Sequence, residues 1–367
     1  MATVADIVAA VDRLAPFRLA ESWDNVGLLL GDAARPVRRV LVSLDVSEAV
    51  CDEAERLGAE VLLAHHPLIF KDVDRLTSET RYGRLALRLL GQGRAVVAAH
   101  TNLDAAEGGL CDILAGMVGL EELDPLRAEA GGRHYKVVVF VPESDLAKVR
   151  TAAFAAGAGR IGPYAECGFW VEGTGTFLPL GGANPAVGLK GRSSAVREHR
   201  LEMLVAAHDL DRVLGAVRQA HSYEEPAIDV YPLHAAASDA GAGRVGRFAE
   251  PLALGELAER AKAALGLKAI HVAGQGGQAI ERVAVVTGGG SGLVEAVAES
   301  DCQAYLTGEL KYHETEDLAA DGIAVVLGGH YRTERVPLER WAPRLAEDLE
   351  GVDVRMSQAE QETVGLV

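Results

Sequence analysis

The chain has 367 residues, of which 49% are hydrophobic and 24% charged, with a formal net charge of −17. That length exceeds one ordinary core and fits two or three domains of a soluble globular protein. The acidic excess, with no basic stripe, argues against a general nucleic-acid binder, and no apolar run reaches the roughly 18 residues that a membrane span needs.

Val4, Ile7, Val8, Val11 and Leu14 recur at helical spacing, so the chain opens with an amphipathic helix. Asp6 and Asp12 interrupt its apolar pattern, so it does not read as a signal peptide. RRVLVSLDV (38–46) reads as a buried strand, followed by a helix with Ser47 as N-cap and Gly58 at its end. AEVLLAHH (59–66) is the next strand, RYGRLALRLLGQG a helix, RAVVAAH (94–100) a strand and AAEGGLCDILAGMVG another helix. Strands alternating with helices predict a parallel sheet with helical crossovers.

The rhythm then changes. EAGGR (129–133) reads as a linker into a compact α+β module over 134–233, made of strand-helix-strand halves. AAASDAGAGR (235–244) reads as a second, flexible linker. Beyond it the α/β alternation returns, with strands at ERVAVV, AYLT and GIAVVLGGH and a final helix from Thr333. The expected architecture is one α/β unit in two halves, 1–130 and 244–367, with the module at 134–233 inserted between them.

Three of these strands end in histidine: His65-His66, His100 and His330. Ligand sites in parallel sheets gather beyond the carboxyl ends of strands, so these tips can share one crevice. Asp104 and Glu334 stand four residues after His100 and His330, a spacing that puts both side chains on one face of a helical turn. Imidazole with carboxylate suits Zn, Mn, Fe or Ni rather than Ca or Mg. Two such ions side by side activate a water and stabilise the charge that develops on the group it attacks. Spacing alone leaves open which histidines touch metal, and His100 can instead hold a ligand or relay a proton. The four cysteines, Cys51, Cys111, Cys167 and Cys302, form no CxxC pair, so a thiolate zinc site is not expected and a reducing cytoplasm fits.

ESWDNVGLLLGD (21–32), LLAHHPLIF (62–70), AAHTNLDAAEGG (98–109), TGELKYHE (307–314) and GGHYRTER (328–335) occur in one order across nearly the whole chain. In this the sequence resembles the dinuclear-metal family of GTP cyclohydrolase 1 type 2 homologs, also called Ngg-interacting-factor-three-like proteins. KVVVFVPESDLAKV and HSYEEPAIDVYPL are similar to the PII/CutA-like, ferredoxin-like insert of its longer bacterial members. The resemblance implies His65, His66, Asp104, His330 and Glu334 as ligands of two divalent ions, and a homohexameric ring whose sites face an interior cavity. It also implies a hydrolase for a nucleotide-like or phosphorylated small molecule, opening the imidazole ring of GTP in its strongest version. Phosphoester hydrolysis suits the same ligands. The alternative is a non-catalytic metal-binding scaffold with a PII-like sensing domain.

Other features carry weaker expectations. In Trp23-Asp24-Asn25 the local chemistry predicts an Asx turn with a buried Trp, and the family motif predicts that Asp24 or Asn25 lines the site. Glu309 and His313, four apart after the strand AYLT, are candidates for substrate contact or proton transfer, with a solvated helix face as the plain alternative. TGGGSG (287–292) lacks the lysine of a phosphate-binding loop and reads better as a tight strand-helix turn. His221, Glu224 and Glu225 resemble a metal cluster but read as structural or regulatory.

Overall fold

The structure, a computed structural model, describes residues 1–128, 134–161, 164–233 and 240–364. Two compact units divide the chain: Met1–Glu129 with Asp239–Val367, and Ala130–Ser238 between them. The linker expected at 129–133 lies outside the described residues.

The first half of the outer unit runs α1 (Val4–Leu14), β1 (Gly27–Leu30), β2 (Arg39–Ser43), α2 (Glu48–Leu57), β3 (Val61–Ala64), α3 (Arg81–Gly91), β4 (Ala95–Ala98), α4 (Thr101–Ala105), α5 (Leu110–Val118) and β5 (Glu121–Ala128). The insert follows as β6 (His134–Pro142), α6 (Glu143–Ala155), β7 (Gly168–Phe177), β8 (Ser194–Ala206), α7 (Leu210–Ala220) and β9 (Ile228–Pro232). The second half runs β10 (Gly241–Ala253), α8 (Leu254–Ala264), β11 (His271–Ala273), β12 (Ala279–Val285), α9 (Val294–Ala298), β13 (Ala304–Thr307), α10 (Tyr312–Ala320), β14 (Ala324–Leu327), α11 (His330–Asp348) and β15 (Asp353–Met356).

Caps set helix ends where the sequence places them. Ser47 Oγ accepts from Val50 N at 3.2 Å, and Gly58 closes α2 with φ +68°. β3 and β4 are buried at every position, as parallel strands covered on both faces must be. They belong to a five-stranded sheet, β1-β4-β3-β2-β15, parallel except for β1. A six-stranded sheet, β11-β14-β13-β12-β10-β5, is parallel only through β12, β13 and β14. Val4, Ile7 and Val11 of α1 and Trp341 and Leu345 of α11 pack on one face of the first sheet; Val50 of α2 and Leu85 of α3 pack on the other. The second sheet is likewise sandwiched, by α5 and α8 on one face and α9 and α10 on the other. Parallel βα units in two layered sheets thus carry the strand-end histidines.

Two expectations change. The second linker was expected to run to Arg244, but Gly241–Arg244 open β10 and pair with β5 and β12. Arg244 is buried and binds the Asp112 carboxylate and the carbonyls of Gly241, Gly243, Ala105 and Ala106. A buried guanidinium needs that many acceptors. The final helix begins at His330, a turn before Thr333, and continues through Pro337 and Pro343. Burial of Leu338, Trp341 and Leu345 outweighs the proline cost.

Within the insert, β6-α6-β7 and β8-α7-β9 form an antiparallel sheet ordered β7-β8-β6-β9. This is the ferredoxin-like split βαβ arrangement. Val137, Val139 and Val141 of β6 meet Val149 and Ala153 of α6 and Val213 and Val217 of α7, so the insert has its own core.

Candidate metal centre

His65 and His66 follow β3, His100 follows β4, and His330 opens α11 directly after β14. The imidazole centroids lie 5.2 Å apart for His65–His66, 5.1 Å for His65–His100, 5.5 Å for His66–His100 and 5.5 Å for His66–His330. Donor atoms of His65, His66 and His100 all fall within 4.8 Å of one another, and so do those of His66, His330 and Glu334. His66 belongs to both sets.

Each ring is held from behind. His65 Nδ1 lies 2.8 Å from Ala99 O, His66 Nδ1 3.0 Å from Asp45 Oδ1, His100 Nδ1 2.9 Å from Asp24 Oδ1, and His330 Nδ1 3.1 Å from Glu309 Oε1. These acceptors require Nδ1 to carry the proton. In all four rings Nε2 is then left for the crevice, which is how outer partners orient metal-binding histidines.

Glu334 stands at the centre, 3% exposed, on the second turn of α11, four residues after His330. Its Oε2 lies 3.1 Å from His66 Nε2, and its Oε1 lies 3.2 Å from His330 Nε2 and 3.7 Å from His65 Nε2. Burial pushes its pKa up, but hydrogen bonds and positive charge from His330, His65 and His66 outweigh that and hold it well below the usual range. Asp104 Oδ2 is 3.7 Å from His65 Nε2, and Thr287 Oγ1 donates to Asp104 Oδ1 at 2.7 Å. Burial raises the Asp104 carboxyl. Burial also opposes protonation of His66, yet Asp45 and Glu334 carry it to about 10; Glu334 raises His330 to about 9.

Gly288 makes room for this group. Its φ is +61°, and a Cβ there would stand 1.9 Å from Glu334 Oε1. Two buried atoms, His65 Nε2 and Glu334 Oε2, have no hydrogen bond of good geometry. A buried nitrogen and a buried oxygen left over among converging imidazoles and carboxylates fit a bound divalent cation.

His65, His66, His100, Asp104, His330 and Glu334 therefore come together, with Glu309 behind His330. His313 does not join them: it stands 87% exposed on α10, with Nδ1 3.5 Å from Glu316. The solvated-face alternative describes it, because the first turn of α10 points outward. Trp23, expected buried, is 56% exposed; its ring packs 5.7 Å from Phe70 and 6.1 Å from His100. Asp24 accepts from Asn25 N, one residue on rather than the two of the expected Asx turn, and from Thr101 N and Oγ1 as well. In the 287–292 turn, Gly288 N donates to Thr333 Oγ1 and Gly290 N to Glu309 O, so both amides are already spent. Both ring nitrogens of His221 are bonded to backbone, at Phe140 O and Tyr223 N, so this histidine is structural. Asp45 and Thr287 were not anticipated. The one signal for Asp45 was its place just past an apolar strand, as for the histidines.

Fold and site define an α/β protein with a histidine–carboxylate cluster that can hold metal at its strand ends. Residues 2–363 match the Duf34/NIF3 (NGG1p interacting factor 3) family, and the chain belongs to it. It is 38% identical over 324 residues to a "GTP cyclohydrolase 1 type 2 homolog" from Halalkalibacterium halodurans, covering 88% of this chain and 87% of that one. It is 40% identical over 337 residues to the protein of that name from Mycobacterium bovis, covering 90% and 88%. Among solved structures, a Bacillus cereus protein related to NIF3 superposes with a TM-score of 0.72 at 36% identity, covering 100% of this chain and 99% of that one. Among the described residues no helix is long and apolar enough to cross a membrane.

Proposed function

We propose that the protein is a hydrolase dependent on two divalent cations and acting on a nucleotide-like or phosphorylated small molecule. The observation that carries this reading is the convergence of His65, His66, Asp104, His330 and Glu334, with buried donor atoms left unbonded. Those five residues would hold the ions. When bound, the ions supply Lewis-acid polarisation and neutralise developing negative charge.

The chain's own groups supply the rest. His100 keeps its Nδ1 proton on Asp24, so Nε2 is free to accept a proton from an attacking water. Thr101 fixes Asp24 through a second hydrogen bond, and a fixed carboxylate favours the imidazolium that forms. Glu309 orients His330. The names of the relatives support ring opening of GTP as the reaction; a phosphoester suits the same residues.

The test is turnover by metal-loaded protein against GTP and a panel of phosphoesters, with metal counted by elemental analysis. Two ions per chain and turnover of one class are expected. Failure to hydrolyse any of them would overturn the hydrolase and favour a second reading, a metal-bearing scaffold. The separately cored insert is the observation that favours it.

A further inference from the structure

The insert contains a cleft of about 750 Å³ that no feature of the metal centre uses. Phe140 of β6, Phe177 of β7, Glu198 of β8 and Tyr223 from the α7–β9 connection line it, and the 178–193 connection forms its apolar outer wall. Its volume falls within the range of small-molecule sites, roughly 300–1,000 Å³.

The polar groups in it have one sign. Glu198, Glu224 and Glu225 line the cleft, and no lysine or arginine does. Glu198 is only 8% exposed, and among the described residues no cation comes within ion-pair distance of it. Its carboxylate rests against Gly175, where a Cβ would stand 2.0 Å from Oε2. Beside it, the buried Tyr223 Oη has Glu198 as its neighbour and no other hydrogen-bond partner among the described residues. Burial, hydrogen bonding to Glu198 and the Glu198 charge push that phenol up to about 12, so it stays protonated. A buried carboxylate with a phenol but no cation beside it is only partly compensated, and here a space for a cation adjoins it. Leu178, Leu180 and Val187 line the same space while standing 52%, 70% and 44% exposed. The three carboxylates do not converge as a metal shell; both donor clusters among the described residues lie in the outer unit. Three negative charges also repel a phosphate.

The geometry points to a binding site in the insert for an organic cation, a primary ammonium or guanidinium on an apolar or aromatic body. The charged head pairs with Glu198 beside Tyr223, and the body packs among Phe140, Phe177 and the 178–193 wall. This site is independent of the hydrolase reading.

Calorimetric titration of the full chain tests it, with phenethylammonium, its neutral isostere 2-phenylethanol and the anionic 3-phenylpropionate as probes. Saturable binding of the amine at one per chain is expected, at least roughly tenfold tighter than the alcohol because its hydrogen bond is charge-assisted. No binding of the acid is expected. Glu198→Gln should weaken the amine by roughly tenfold or more and leave the alcohol unchanged. Val187→Trp, on the exposed wall, should abolish binding of both by filling the cleft, and it keeps the test decisive should Glu198→Gln not fold. A wild-type thermal unfolding profile and circular dichroism spectrum show that each variant keeps the insert folded. Absence of saturable amine binding, equal affinity for amine and alcohol, or amine binding undiminished in Glu198→Gln or Val187→Trp would overturn the site.

Discussion

His66 is the side chain on which the candidate centre turns, since it shares donor distances with both ligand sets. Its partners Asp45 and Glu334 keep it protonated to about pH 10 in the metal-free protein, and Glu334 does the same for His330 to about pH 9. The sign follows from the direction. These folded pKa values lie above the ordinary 6.5, so the ion pairs stabilise fully below that pH and their contribution fades as pH rises toward 9–10. Metal ligation needs neutral imidazoles, so loading must expel those protons. Zinc titrations near pH 7 in buffers of different ionisation enthalpy should therefore show at least about one proton released per chain, with affinity rising with pH. A buffer-independent enthalpy would contradict the pairing. Asp24→Asn removes the carboxylate behind His100 and should lower turnover roughly 10–100-fold while metal content stays the same, which elemental analysis and kinetics together resolve.

The strand-end turns decide how closely the ligands approach. Gly288, between β12 and α9, adopts φ +61° and leaves the space that Glu334 occupies. Gly288→Ala should cost about 1–3 kcal/mol in stability and weaken metal binding, read by thermal unfolding with and without metal. Wild-type metal affinity in that variant would show that Glu334 has room to move. Arg244 acts at the same end of the sheet, opposite Val285, tying the start of β10 to the carbonyls that close α4 and to Asp112 of α5. Replacing it with Leu leaves those acceptors buried, and denaturant unfolding should report a loss of about 3–5 kcal/mol. The strands were legible in the sequence because buried parallel strands read as unbroken apolar runs, and a histidine closing such a run stands out. β5 was not legible: EELDPLRA carries charges and a proline, and only pairing along β10 makes it a strand.

At the scale of the whole chain, the insert joins its host between two paired strands. Ala128 at the end of β5 and Gly241 at the start of β10 are register partners in an antiparallel pair. A short Asn-Gly turn joining them would close an ordinary hairpin. Replacing residues 129–240 by that turn should leave a folded protein with its full metal content, measured by elemental analysis and thermal unfolding. Loss of metal would mean that the insert takes part in forming the centre.

By itself the sequence determined the α/β class, the inserted module, and the residue types and strand ends from which a metal crevice could be made. Those are local facts: apolar runs, caps, and a carboxylate four residues after a histidine. Only the tertiary structure decided that the two sheets bring His66 and Glu334 to 3.1 Å, that Asp45 and Asp24 stand behind His66 and His100, and that His313 faces solvent. The reason is physical: a donor's partners are set by which strand tips and turns lie next to each other, and residues far apart in the chain acquire that adjacency only when the sheets pack.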